Sequence, residues 1–333
     1  MRSDAILSSP DSRDYTAGAA LEVSGAALPP DFEVWQPESI ENQMAGNCVA
    51  QALANIMECA EYQMLRSLLE YALANGYDEE VVHALMLALS NIKDYSVGYI
   101  YGTGLSTVQG PGMEPREALK SLLREGDVLR EVWECDDENP LCREKRAQLP
   151  PEVHSLARRI KAFVRFHTKE EMQRYMLKYK LPVLIVAPTS AFGWGSGYHA
   201  VACYGWVSRE TCERDYNYME YRDLRYTNSW GSWNPRGLVQ YEQVTEMWGV
   251  IPMEDTRLTD IDVHWARQFI QRAQELGLVN GYEDNTFRPD NQTTRAEMTK
   301  VVVTLADQLL DEYSKLDTRV RRMEKMFGLQ PID

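Results

Sequence analysis

The spacing of apolar residues changes twice along the chain and divides it into three textures. From roughly residue 48 to 75, Ala, Leu and Met recur with few breakers, which predicts a long helix. DEEVVHALMLALSN (78 to 91) reads as a second amphipathic helix, in which His83 is expected to pack beside Val82 and Leu85. EPREALKSLLREG (114 to 126) is a third, closed by Gly126. Glycines 98, 102, 104, 110 and 112 mark a loop-rich crossing between the second and third helices. Residues 1 to 34 hold few large apolar side chains and three prolines, Pro10, Pro29 and Pro30, and read as an extended arm.

After residue 163 the helical period gives way to short β-rich runs. TKEEMQRYMLKYK opens with a capping box, in which Thr168 bonds the amide of Glu171 and Glu171 reaches back. LPVLIVAPT (181 to 189), YHAVACYGW (198 to 206), YTNSW (226 to 230) and GLVQY (237 to 241) are predicted strands. Helices first and strands second predict an α+β protein with two segregated halves, and a cleft between such halves is a common ligand site.

The third texture follows a short polar linker at 252 to 259. DVHWARQFIQRAQELG (262 to 277) is an amphipathic helix ending in Gly277, and NGYEDNTFRPDN is turn chemistry. TRAE (294 to 297) is a second capping box, from which a helix runs toward Phe327. Its apolar positions Met298, Val302, Leu305, Leu309, Leu316, Val320, Met323 and Phe327 recur at steps of four and three, with one seam position, Glu312, charged. That pattern fits a coiled coil through 298–327 and hence a homo-oligomer, or a helix packed on its own protein.

Composition narrows the function classes. Over 333 residues, 44% hydrophobic and 26% charged positions describe a globular chain with room for a large core. A net charge of −15 argues against nucleic acid and against docking to anionic membranes. No run of about 18 apolar residues exists, so no membrane span is expected. The opening MRSDAILSSPDSRDYTAG lacks an apolar h-region, so no ordinary secretory signal is expected. Six cysteines do not make a disulfide framework. Cys135 and Cys142 lie close enough to bridge, or stand as two reduced surface thiols; with no histidine beside them, a metal site is not expected.

One cysteine stands apart. Cys48 sits in NQMAGNCVAQALANI, where a glycine-containing turn runs into the long helix, and a helix N-terminus favours thiolate. A thiol nucleophile needs a base, and the base needs an orienting group. His154 and His167 lie in charged surroundings, and His264 belongs to the third texture. His199 alone follows a glycine-rich loop, GWGSGY, and begins a strand. Asn228, in NSWG at the end of another strand, can accept the imidazole N–H and fix its tautomer, with Trp230 covering that bond from water.

These three segments resemble the papain family of cysteine peptidases. GNCVA is similar to the family's cysteine turn, GYHAV to its histidine strand, and NSWGSWNPRGL to its asparagine block, over roughly residues 30 to 250. The resemblance implies a papain-like two-lobed fold over 35–252, a protein or peptide substrate, no cofactor, and Cys48, His199 and Asn228 as catalytic residues. Gln43 stands where the family places its oxyanion-hole glutamine. In papain-type enzymes the His and Asn follow the Cys by about 130–150 residues; here the separations are 199 − 48 = 151 and 228 − 48 = 180. The excess fits an inserted loop over 208–223. Departures are a Gln43–Cys48 turn one residue shorter than usual, with Asn42 as a fallback donor, and Val49 in place of the usual Trp. Ala45 replaces a disulfide cysteine, which suggests a chain without structural disulfides. The family's helical prosegment has no room before Cys48, which leaves the acidic N-terminal arm as the candidate for holding the enzyme latent.

Residues 259 to 305 resemble an S-layer homology repeat through HWA, the helix ending in Gly277, NGY-x-D, TFRP and TRAE. Such repeats bind bacterial cell-wall polysaccharide, usually three together. Matching positions are Trp265, Gly281 and Arg295, and trimerisation through the 306–333 helix would supply three copies. The alternative is a packing or assembly module without glycan. The readings that follow are a thiol endopeptidase tethered to a cell envelope or phage particle, a catalytically inactive papain-like scaffold or glycan-binding protein, and a wall amidase or acyltransferase.

Overall fold

The computed structural model describes residues 5–8, 27–38, 43, 46–74, 76–102, 112–137, 139–193, 195–216, 220–230 and 236–252, and parts of 261–306. It divides into two compact units, Met1–Glu254 and Asp255–Asp333.

The first unit is helical before it is a sheet. Helix α1, Cys48–Ala74, is 27 residues long, roughly 40 Å. Its first three turns are rich in alanine and apolar residues, and Cys48, Val49, Ala50, Leu53, Ile56 and Cys59 are all buried. Its second half and α2, Glu79–Leu89, form a hairpin with no buried residue in α2, where Asp78 caps the amide of Val81 at 2.9 Å. His83 is exposed there, not packed. Helix α2 packs chiefly on α1, and its apolar stripe stays unburied. Helix α3, Val97–Tyr101, is buried throughout, and α4, Pro115–Arg124, begins on a proline and is followed by Gly126 at φ +81°. Two short helices complete this half, α5 Asn139–Ala147 and α6 Pro151–Ser155.

Six strands then build an antiparallel sheet in the order β2-β7-β3-β4-β5-β6. They are β2 Ile160–Arg165, β3 Val183–Pro188, β4 Tyr198–Trp206, β5 Leu224–Thr227, β6 Arg236–Val239 and β7 Glu246–Pro252. Helix α7, Lys169–Tyr179, carries the expected capping box in full, and α8, Arg209–Tyr216, lies between β4 and β5. The run 208–223 is therefore not a bare loop: Cys212 of α8 is buried with Val207 and Leu238 in a small core. Strands β3 and β4 are buried along nearly their whole length because α1 packs on them. A further strand, β1, Phe32–Glu33, pairs with Trp206 and Gly205 at the end of β4. A side chain at Gly205 would sit 2.0 Å from the Phe32 carbonyl, so only glycine lets β1 approach.

Cys135 and Cys142 correct the picture of surface thiols and of a chain lacking structural disulfides. They are joined by a disulfide, and both are buried. The backbone of Cys135 crosses Gly98 of α3 so closely that a Cβ there would lie 2.5 Å from the Cys135 amide nitrogen, which draws the pair inward.

In the second unit, Ile261 and Ile270 pack with Ala266 and Phe287. The Thr294–Glu297 capping box forms, with bonds of 2.7 and 3.2 Å, and opens a helix over 295–306. Met298, Val302 and Leu305 are exposed along it. The rest of the expected seam, Leu309 to Phe327, lies outside the described residues, so the coiled coil is not shown.

Alkylation in denaturant without reductant is expected to spare two of the six cysteines. Replacing Cys135 and Cys142 by Ala is expected to lower the unfolding free energy in urea by about 2 kcal/mol, the loop-closure entropy of so short a ring. Six adducts, or unchanged stability, would contradict the pairing.

Candidate active site

His199 enters the site as the second residue of β4, held in register opposite Ala187 of β3. Asn228 follows the last residue of β5, whose Thr227 pairs with Ala202. Adjacent antiparallel strands thus deliver an imidazole and a carboxamide to one end of the sheet. His199 Nε2 lies 2.8 Å from Asn228 Oδ1, and both side chains are buried. The Ser229 amide also bonds that oxygen at 2.8 Å. A backbone N–H can only donate, so the atom it meets must be the carboxamide oxygen. His199 Nε2 must therefore carry the proton, and in the neutral ring Nδ1 keeps its lone pair. Nδ1 is buried and makes no hydrogen bond among the described residues.

Two aromatic rings clamp this imidazole. Trp230 stacks on it at 4.4 Å between centroids and 23° between planes, and Phe192 meets it edge-on at 5.5 Å and 85°. The sandwich excludes water and fixes the ring plane. Burial pushes the His199 pKa down to about 4, against the smaller upward pull of Asn228. Only a nearby anion would restore the cationic form at neutral pH.

Cys48 is the first residue of α1, fully buried in the same core cluster as Trp230 and Phe192. Because α1 packs against β4, the helix that begins with the thiol and the strand that carries the imidazole are in contact. Gln43 is tied to the Asn228 turn twice. Its amide donates to the Ser229 carbonyl at 2.6 Å, and the Ser229 hydroxyl donates to Gln43 Oε1 at 2.8 Å. The approach to Gln43 is strapped down as well: Thr227 Oγ1 bonds Gln36 Oε1 at 2.7 Å, and Arg236 bonds the Pro37 carbonyl at 2.9 Å.

The sequence pointed to Cys48, His199, Asn228, Gln43 and Trp230. It missed Phe192, which precedes the glycine loop without a motif of its own, and Ser229, which lies inside NSWG. In the second unit, Gly281 lines a pocket with Phe287, Arg288 and Lys300, while Arg295 is exposed on the first turn of the 295–306 helix. Trp265 and Asn42 lie outside the described residues. Among the described residues no cluster of His, Cys, Asp or Glu could hold a metal ion, and no helix is long and apolar enough to cross a membrane.

The helical part followed by an antiparallel sheet, with this histidine and asparagine at the sheet's end, is the papain-like cysteine protease fold. Xylellain, a cysteine protease from Xylella fastidiosa, superposes with a TM-score of 0.53 at 18% identity, covering 76% of this chain and 96% of that one. Residues 257–299 match the S-layer homology domain, so the chain joins this fold to that module. Among curated relatives, Cell surface glycoprotein 1 of Acetivibrio thermocellus is 30% identical over 64 residues, 19% of this chain. The Cellulosome-anchoring protein of the same organism is 40% identical over 47 residues, 14% of this chain. The chain spans only 3% and 10% of those two proteins.

The burial of His199 has a measurable sign. Its folded pKa lies below the ordinary 6.5, so as pH falls from 6.5 to about 4 the unfolded chain takes up the proton first and stability is lost. In a Cys48→Ala background, where no thiolate perturbs the ring, that loss is expected to reach about 3 kcal/mol between pH 7 and 4. Urea unfolding of Cys48→Ala beside Cys48→Ala/His199→Gln isolates it; identical pH slopes would contradict a buried neutral imidazole.

Proposed function

We propose that this chain is a cysteine endopeptidase acting through Cys48, His199 and Asn228, with residues 35–252 as its catalytic domain. The observation that carries the reading is the buried His199–Asn228 hydrogen bond, with the other ring nitrogen left as a base. Cys48 gives its proton to His199 Nδ1, and the resulting thiolate is favoured by the start of α1. The imidazolium and thiolate then stabilise each other, offsetting the burial that otherwise keeps the ring neutral. The thiolate attacks the scissile carbonyl carbon, and the carbonyl oxygen becomes an oxyanion. The Gln43 carboxamide and the Cys48 amide donate to that oxygen. His199 returns its proton to the leaving amine as the C–N bond breaks, leaving a thioester on Cys48. A water deprotonated by His199 then releases the acyl group and restores the thiol.

The S-layer homology domain, 259–305 as read from its motifs, would attach the enzyme to the cell envelope by binding wall polysaccharide. The names of the two Acetivibrio relatives, a surface glycoprotein and an anchoring protein, support that address. Gly281 and Arg295 are the described candidates for glycan contact, and the helix over 306–333 would bring copies together.

A peptide-library digest read by mass spectrometry tests the chemistry. Wild type is expected to cleave and to take up one thiol-directed epoxide, and Cys48→Ala to do neither. Gln43→Ala is expected to lower kcat by about 10²–10³ with little change in KM. Cleavage by Cys48→Ala would reject the nucleophile. A wild type that neither cleaves nor takes the label would leave the scaffold reading, and hydrolysis of wall acyl bonds but not of casein the amidase reading.

A further inference from the structure

Phe192, one of the two rings that clamp His199, ends a short 3-10 turn, Thr189–Phe192, and is buried. It also meets Tyr226 edge-on, at 5.0 Å between centroids and 84° between planes. Tyr226 belongs to β5, two residues before Asn228. One ring thus touches both the imidazole and the strand that delivers its carboxamide partner. The turn that carries Phe192 is fastened at both ends. At its start, the Thr189 amide and hydroxyl both donate to the Gly197 carbonyl, at 3.0 and 3.3 Å. Beyond Phe192 come Gly193, Gly195 and Gly197, all at positive φ, so the chain on that side of the ring adds little stiffness of its own.

The fastening at the Phe192 end comes from Arg222. Its Nη1 donates to the carbonyl of Ala191, the residue before Phe192, at 3.4 Å, and to the carbonyl of Leu238 on β6 at 3.3 Å. Both bonds are long, and the positive charge on the donor offsets that. Arg222 is itself held from behind. Its amide donates to the Cys212 sulfur of α8 at 3.5 Å. Asp223, next in the chain, is buried, pairs with Lys169 at 2.5 Å and accepts the Tyr241 amide at 2.8 Å. The guanidinium therefore extends from a fixed backbone. Its donors lie in one rigid plane, so it can tie a turn and a strand at a set separation.

We infer that Arg222 is a positioning residue for His199, acting through the Ala191 carbonyl and the Phe192 ring. The run 208–223, an excess over the papain spacing, then has a task. It supplies the side chain that keeps the aromatic clamp closed on the imidazole and water away from the bond to Asn228. The seating of the ring stands on these contacts alone; its effect on turnover rests on the peptidase reading above.

The seating is read without catalysis in a Cys48→Ala background, as the rate at which the His199 Nε2 proton exchanges with water at neutral pH, followed by NMR. Arg222→Ala is expected to speed that exchange about tenfold, and Arg222→Lys, which keeps the charge but not the planar fork, about threefold. Phe192→Leu is expected to speed it at least as much as Arg222→Ala. Adding Arg222→Ala to Phe192→Leu is expected to change little further, because the path is already cut. Lys169→Met loosens the same junction through Asp223 without touching the turn, and is expected to leave the rate unchanged. With Cys48 in place, Arg222→Ala is expected to lower kcat about tenfold with little change in KM. An exchange rate unmoved by the Arg222 variants, an additive double variant, or equal acceleration by Lys169→Met would overturn the inference, whether or not peptides are cleaved. An unchanged kcat for Arg222→Ala in an enzyme that cleaves would overturn it too. Faster exchange with no cleavage by any form would keep the positioning role and reject the peptidase.

Discussion

The candidate site is organised around one buried hydrogen bond, from the His199 imidazole to the Asn228 carboxamide. It is made between two adjacent strands, so the sheet register sets its length. A backbone amide fixes the carboxamide's orientation, and two aromatic rings fix the imidazole's plane. With one ring nitrogen committed, the other has a single role left, that of proton acceptor. A histidine pressed down to about pKa 4 by burial would be a poor base alone. In the proposed pair with a Cys48 thiolate, the same burial would strengthen the attraction between the charges.

In the first unit, the helix that begins with Cys48 packs on the strand that carries His199. The first turns of α1 are rich in alanine and apolar residues, which lets Cys48 and its neighbours sink against β3 and β4. The segment from Phe32 to Pro37 is held by β4, by Thr227 and by Arg236, and Gly205 admits it by close backbone contact. Gln43 is anchored to the asparagine turn through Ser229.

Much of this was legible in the residues because local and global signals agree. The apolar run beginning at Cys48, the Thr168 capping box and the unbroken stretches of β3 and β4 each predict their own element. The strands that escaped notice have a physical excuse. β2, IKAFVR, carries charged residues that interrupt its apolar pattern. β7, EMWGVIP, has Gly249 at its centre, which reads as a break; yet a side chain there would meet the rings of Phe166 and Tyr175 at 2.8 and 2.9 Å. Cys135 and Cys142 sit in a charged, proline-containing stretch that looks like surface, yet Cys135 packs on Gly98 and Cys142 on Gly102. His83 satisfies a helical stripe that turns out to face no core. At the candidate site, the pairing of His199 with Asn228 was legible from order and context. Phe192 and Ser229 were not, because their roles exist only after the strands pair.

The most direct measurement is the rate of Cys48 alkylation by iodoacetamide as a function of pH, followed at that residue by mass spectrometry. A thiolate held by His199 predicts a rate already near its plateau at about pH 5–6, and loss of that low-pH reactivity in His199→Ala, where the thiol returns toward its ordinary value of about 8.5. A wild-type profile that rises only near that ordinary value, and is unchanged by His199→Ala, would contradict the account.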